Sequence, residues 1–169
     1  MPNPTLTNAD LEAAFLQAYD SFADAIFRHC CFRVYDRERA RDLTQECFLR
    51  AWEYVASGKR VGNLRAFLYR VATNLIIDES RRKRPGSLDD LLEQGVEPAP
   101  QAATAPTAAE ASRALAALDG LGPKFREILK LRYLDGLGPK EIAASLGTSE
   151  NVVSVRLHRG LAQLRKMMS

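Results

Sequence analysis

This 169-residue sequence has few of the residues that bind metals, form cross-links or act as nucleophiles: three cysteines, two histidines and one tryptophan. Cys30, Cys31 and Cys47 are odd in number and show no repeated spacing, and His29 and His158 lie far apart. Neither a disulfide framework nor a zinc finger fits. There is no apolar run long enough to span a bilayer, and the opening MPNPTLTNADLEAAF has no basic region leading into one. A soluble, cytoplasmic protein without membrane insertion is expected. A charge of one sign is missing too: 24 Lys+Arg against 21 Asp+Glu gives a net +3 and a pI of about 8.9, so bulk charge names no partner. The length suffices to bury one core or two small ones without disulfides or metal.

What is present is sharply divided. Residues 85–112, PGSLDDLLEQGVEPAPQAATAPTAAEAS, contain no Lys or Arg, are crowded with Pro and Ala, and follow directly on the basic run Arg81 to Arg84. They read as an acidic, flexible linker in which Leu88 to Leu92 has at most a short helical turn. Both flanks are helical, because apolar residues recur at three and four with no convincing strand alternation. The first flank carries Leu11, Phe15, Ala18, Phe22, Ile26, then Leu43, Cys47, Ala51, Tyr54, then Leu64, Leu68, Val71, Leu75. That predicts three or four helices on one core. In the second flank GLGPK occurs at Gly120 and again at Gly136, and each Pro suits the first turn of a helix. The expected fold class is therefore all-α: two small helical domains, 1–84 and 113–169, joined by a linker at 85–112.

The C-terminal module has the pattern of a helix-turn-helix. Ile142, Ala143 and Leu146 form one apolar face, Gly147 permits a tight turn, and a longer helix starts at Ser149 with the inward stripe Val153, Leu157, Leu161 and Leu164. The opposite face groups Asn151, Val152, Val155, His158 and Arg159, with Ser149 at the tip and Ser154 at the side. Asn and Arg suit adenine and guanine edges in a major groove, and Val suits a thymine methyl. Arg159, Arg165 and Lys166 suit phosphates. A solvated bundle face with two incidental valines is the plain alternative.

In the N-terminal module, residues 40–52 have one apolar face and one that groups Asp42, Gln45, Leu49 and Glu53, with Glu46 adjacent. An exposed Leu ringed by carboxylates and an amide, with no paired nucleophile or base, fits a helix-docking surface better than an active site. Downstream, Arg70, Thr73, Asn74 and Ile77 face outward on a helix that leads into Arg81 and Arg82. A basic, glycine-bearing loop, residues 57–62 with Lys59 and Arg60, precedes it. Loop, cations and the aromatics Trp52, Tyr54 and Tyr69 suit a phosphate strand or an unstacked base.

DLTQECFLRAW (42–52), NLRAFLYRVATNLIIDESRRKR (63–84) and EIAASLGTSENVVSVRLHRGLAQLRK (141–166), in this order and spacing, resemble a bacterial sigma-70 family sigma factor of the extracytoplasmic-function (ECF) group, with regions 2 and 4 only. The resemblance implies core RNA polymerase as partner, through the beta-prime clamp helices and the beta flap, with Asp42, Gln45, Glu46 and Leu49 as core contacts. It implies minus-ten promoter contacts by Arg60, Asn63, Arg70, Thr73, Asn74, Ile77, Arg81 and Arg82. It implies minus-thirty-five contacts by Ser149, Asn151, Val152, Ser154, Val155, His158, Arg159 and Lys166. The linker would thread toward the polymerase channels, and an anti-sigma protein would hold the factor inactive. The chain departs from the family where a Gly-Thr-Val-Lys/Arg-Ser-Arg stretch is common: here Ser154 replaces a cation and Val155 a serine. Gly138-Pro139 also replaces a more usual polar pair.

The resemblance implies a promoter-specificity subunit with no catalytic residue, metal or cofactor. A stand-alone helix-turn-helix regulator is the nearest rival, with an N-terminal bundle that dimerises or senses a ligand. An enzyme built on His29, Cys30 and Cys31 is more distant, because adjacent helical residues point about 100° apart and core packing explains the cysteines. Because the sequence ends just after the recognition helix, no appended sensor domain is expected.

Overall fold

The computed structural model describes residues 7–80 and 108–169. The chain divides into two compact units, Met1–Gln94 and Gly95–Ser169. The basic run Arg81 to Arg84, the Leu88–Leu92 turn and most of the linker fall outside the described residues.

Among the described residues the N-terminal unit has three helices, α1 (Asn8–Val34), α2 (Arg37–Ala56) and α3 (Leu64–Ser80), each packed on the other two. Thr7 caps α1 through a reciprocal pair with Asp10, in which each backbone N–H donates to the other's side chain. α1 ends where Tyr35 turns left-handed, at φ +54°. Asp36 then caps α2 by accepting from the Arg39 N–H at 3.1 Å. Two residues thus reverse the chain, and the reversal pairs Phe15 with Trp52 and Tyr19 with Phe48. Asn63 caps α3, its side-chain oxygen accepting from Ala66 N–H.

The core is broader than the periodic sets suggested. His29, Cys30, Cys31 and Phe32 are all buried, so the last turns of α1 are covered on every side. Tyr69, expected as an available aromatic, is also fully buried, edge-on to His29. Trp52 is half-buried against Phe15.

The C-terminal unit has α4 (Ala108–Asp119), α5 (Pro123–Leu129) running into a π-helical turn (Lys130–Leu134), α6 (Pro139–Leu146) and α7 (Glu150–Met168). α4 starts inside the stretch read as linker, because Ala108, Ala109 and Glu110 are strong helix formers that composition alone counts as linker-like. Pro123 and Pro139 open their helices as expected, behind Gly122 and Gly138. At the turn between α6 and α7, Gly147 takes φ +67°, where a Cβ would be strained, and Ser149 caps α7 through Val152 N–H. Leu118, Ile128, Leu129, Leu137, Ile142 and Val153 fill the core. The nearly buried Lys130 reaches Asp119 at 3.1 Å, tying the π-turn to the end of α4.

Gly160, buried on the inner face of α7, admits the side chains of Leu129 and Phe125, which a Cβ would meet at 3.2 and 3.4 Å. For Gly160→Ala the gain in helix propensity, about 1 kcal/mol, offsets the squeeze on Leu129. Gly160→Leu overpacks the site and should destabilise this unit by about 1–3 kcal/mol. Urea unfolding followed by circular dichroism separates the two; equal effects from both variants would remove this role for the glycine.

Candidate functional site

The burial of Leu43, Thr44, Cys47, Phe48 and Ala51 fixes the rotation of α2. It leaves Asp42, Gln45, Glu46 and Leu49 together on the outer face, with Leu49 57% exposed. The face is less purely acidic than the sequence suggested. Glu46 is paired with Arg50 at 2.8 Å, one helical turn on, and Asp42 lies 3.5 Å from Arg39. Arg39 also bonds Glu79 near the end of α3, and that carboxylate raises the guanidinium's already high pKa. The 46/50 spacing was available as a sequence signal, whereas the contact between Arg39 and Glu79 depends on the fold.

On α3, Arg70, Asn74 and Ile77 are exposed at helical spacing, and Ile77 is 44% exposed. Thr73 is set lower, half-buried, with its hydroxyl 3.3 Å from His29 Nε2. Asn63 uses its side-chain oxygen on the helix start, leaving only its amide N–H groups to face a ligand. Arg60 is exposed in the loop, where Gly58 takes φ +89°. Beside it the Lys59 ammonium lies 5.0 Å from the centre of the Tyr54 ring, which in turn packs on Phe67. Arg81 and Arg82 lie outside the described residues.

On α7, Asn151, Ser154, Val155, His158 and Arg159 are exposed and form one stripe along the first half of the helix, with Ser149 at its tip. Val155 is 40% exposed. Val152 does not share the outward position expected for it: it is half-buried beside the fully buried Val153. Lys166 is exposed but lies about 25 Å along the axis from Ser149 at 1.5 Å per residue.

These three outward stripes can be set beside known proteins. The family model for sigma-70 region 2 matches residues 18–85, and that for sigma-70 region 4 matches residues 112–164. The chain is 33% identical over 160 residues to the ECF RNA polymerase sigma factor SigL of Mycobacterium tuberculosis, covering 93% of this chain and 90% of that protein. The chain belongs to the ECF group of sigma-70 factors. Two solved structures share its fold. CnrH in complex with the cytosolic domain of CnrY has a TM-score of 0.68 at 23% identity, covering 93% of this chain and 88% of its own. The sigma factor RpoE in complex with the anti-sigma factor NepR, from Bartonella quintana, has a TM-score of 0.66 at 21% identity, covering 92% and 96%. The chain is thus an RNA polymerase sigma factor, a protein of transcription initiation.

In this sigma factor the cysteines sit in the core. Among the described residues no group of three or more His, Cys, Asp or Glu could hold a metal ion, and no helix is long and apolar enough to cross a membrane. Burial pushes the Cys31 thiol up to about 12, with Arg37 acting in the opposite direction. Burial raises Cys47 further, with Cys30 adding to the effect. Unfolded thiols ionise near 9, so the folded chain holds as neutral thiols groups that the unfolded chain would ionise. The stability this contributes is present below pH 9 and lost as pH rises from there toward 12. Two outcomes are expected. The native factor resists alkylation near neutral pH and labels only in denaturant, and its urea midpoint falls above about pH 9. Rapid labelling of the native protein, read by mass spectrometry, would contradict the burial argument.

Proposed function

We propose that this sigma factor is a non-catalytic, cytoplasmic specificity subunit: α2 docks on core RNA polymerase, α3 with its preceding loop engages the minus-ten element, and α7 reads the minus-thirty-five element as duplex. The observation that carries this reading is the placement of two chemically different stripes on two helices of one core. Asp42, Gln45 and Leu49 on α2 suit a helical protein partner, while Arg70, Asn74 and Ile77 on α3 suit an opened DNA strand. Because both helices are rotated by the same packing, docking and DNA contact are compatible in a single complex.

Within that reading Asp42, Gln45, Glu46 and Leu49 contact the beta-prime clamp helices, with Arg50 balancing Glu46 until a polymerase cation competes for it. Arg60, Asn63, Arg70, Asn74 and Ile77 meet the minus-ten strand, with Arg81 and Arg82 continuing onto phosphates. Extruding a base costs a few kcal/mol, so the isolated factor does not melt DNA and opening draws on polymerase contacts. In the C-terminal unit Ser149, Asn151, Val155, His158 and Arg159 enter the major groove. Lys166, far along α7, serves a phosphate, and the unit also meets the beta flap. An anti-sigma protein is a further proposed partner, as NepR is for RpoE of Bartonella quintana.

Run-off transcription from pooled genomic fragments, with and without the factor, tests the whole reading. Starts at fixed sites only in its presence are expected. A footprint by the factor alone, without such transcripts, would instead indicate a stand-alone regulator. Asp42→Arg combined with Gln45→Ala should weaken core binding by at least about 30-fold, the scale of one lost hot-spot group, with thermal unfolding unchanged; normal core binding would reject the α2 assignment. In the recognition helix, Val155→Ser should lower preference for A·T over G·C at one minus-thirty-five position, and Arg159→Ala should cost about 1–3 kcal/mol at its base. An unchanged ranking in promoter selection would reject both roles.

A further inference from the structure

We propose that His29, a core residue of α1 that no solvent reaches, is a positioning residue for promoter opening, acting through Thr73. It rests on the reading that α3 faces the minus-ten strand. Three observations support it. His29 is 0% exposed. Its ring stands edge-on to Tyr69, centroids 5.0 Å apart at 78°, which fixes the imidazole plane. Its Nε2 is thereby 3.3 Å from the Thr73 hydroxyl.

A histidine in an apolar core is costly to bury unless its ring nitrogens find partners, and an aliphatic side chain would fill the same space without that cost. What the imidazole adds is direction. A helical Thr divides between two χ1 rotamers, because its hydroxyl can also bond a carbonyl of the preceding turn. The imidazole selects the rotamer that turns the hydroxyl toward α1. Thr73 is flanked by the exposed Arg70, Asn74 and Ile77, so the choice sets which of its groups shares their surface. The base accepted beside Thr73 therefore depends on a residue that never touches DNA.

The test uses holoenzyme assembled from the full chain and bacterial core polymerase. It reads open-complex formation and minus-ten base preference on a promoter panel, with core affinity and thermal unfolding alongside. His29→Leu and Thr73→Val should each slow opening by about 2- to 10-fold, the scale of one lost hydrogen bond. Both should shift base preference at the same position, and the double variant should be no slower than the slower single. His29→Gln, which returns a polar group at similar reach, should recover most of the rate, and core affinity should stay unchanged. Should His29→Leu fail to fold, Thr73→Val and His29→Gln carry the test by themselves. Additive effects, or wild-type opening and base preference in Thr73→Val, would overturn the proposal. Arg70→Ala separates two failures. If it slows opening while Thr73→Val is silent, the His29 role alone is wrong; if both are silent, the α3 reading falls and this inference with it.

Discussion

The covering of α1's last turns on every side governs the geometry of the N-terminal unit. A helix with one apolar stripe can rotate and slide on its neighbour, whereas one that buries His29, Cys30, Cys31 and Phe32 in succession must lie in the seam between two others. Cys30 comes close enough to Cys47 of α2 to raise its pKa, and the Cys47 thiol donates to the Leu68 carbonyl of α3 at 3.3 Å. That relay locks the rotation of all three helices. The outward stripes of α2 and α3 follow from it, because what faces out is what the seam leaves uncovered. Tyr35 and Arg39 close the arrangement at its ends, one by reversing the chain, the other by bonding α2 to Glu79 of α3.

The C-terminal unit solves a different problem, that of aiming one long helix with very little core. Here the devices are backbone ones. Gly147 supplies a left-handed turn, Ser149 an N-cap, and Gly160 a gap into which Leu129 and Phe125 fit. The π-helical turn at Lys130 to Leu134 inserts an extra residue per turn, and its frame is held by Lys130 on Asp119 and by Arg132 donating to the Leu137 carbonyl. Only Ser149 belongs to the recognition stripe, at its tip, yet each of these groups bears on the angle at which that stripe is presented.

The helix starts at Pro123, Pro139 and Ser149, the Gly147 turn and the exposed faces of α2 and α7 were legible in the sequence, because caps, turns and 3.6-residue periodicity are local signals. At the end of α1 the burial of Cys30 and Cys31 was expected, but that of His29 was not. Nothing local distinguishes His29 as a core residue, since its burial is decided by Tyr69 and Thr73, forty or more positions away. Tyr69 differs for the same reason: an aromatic two residues from Phe67, on a helix that leads into a basic run, looks available until α1 covers it. Thr73 was placed on the correct helix, but its depth depended on the same long-range contact. Val152 erred by rotation alone, since a neighbour as deeply buried as Val153 leaves it only part of the outer surface.

The departures in α7 bear on energetics more than on fold. A cation at position 154 would contribute a contact that falls with salt, through release of counterions from the phosphates. Serine there forgoes that term, and a half-exposed Val155 offers in its place an apolar contact that salt leaves nearly untouched. On the proposed reading, minus-thirty-five binding then rests less on charge than in a relative carrying Lys or Arg at that position, and more on the fit of Val155 to a thymine methyl. Shape fit is unforgiving of displacement, which places weight back on Gly147 and Gly160: a shift of α7 that a flexible cation could follow would take a short, stiff β-branched side chain out of contact.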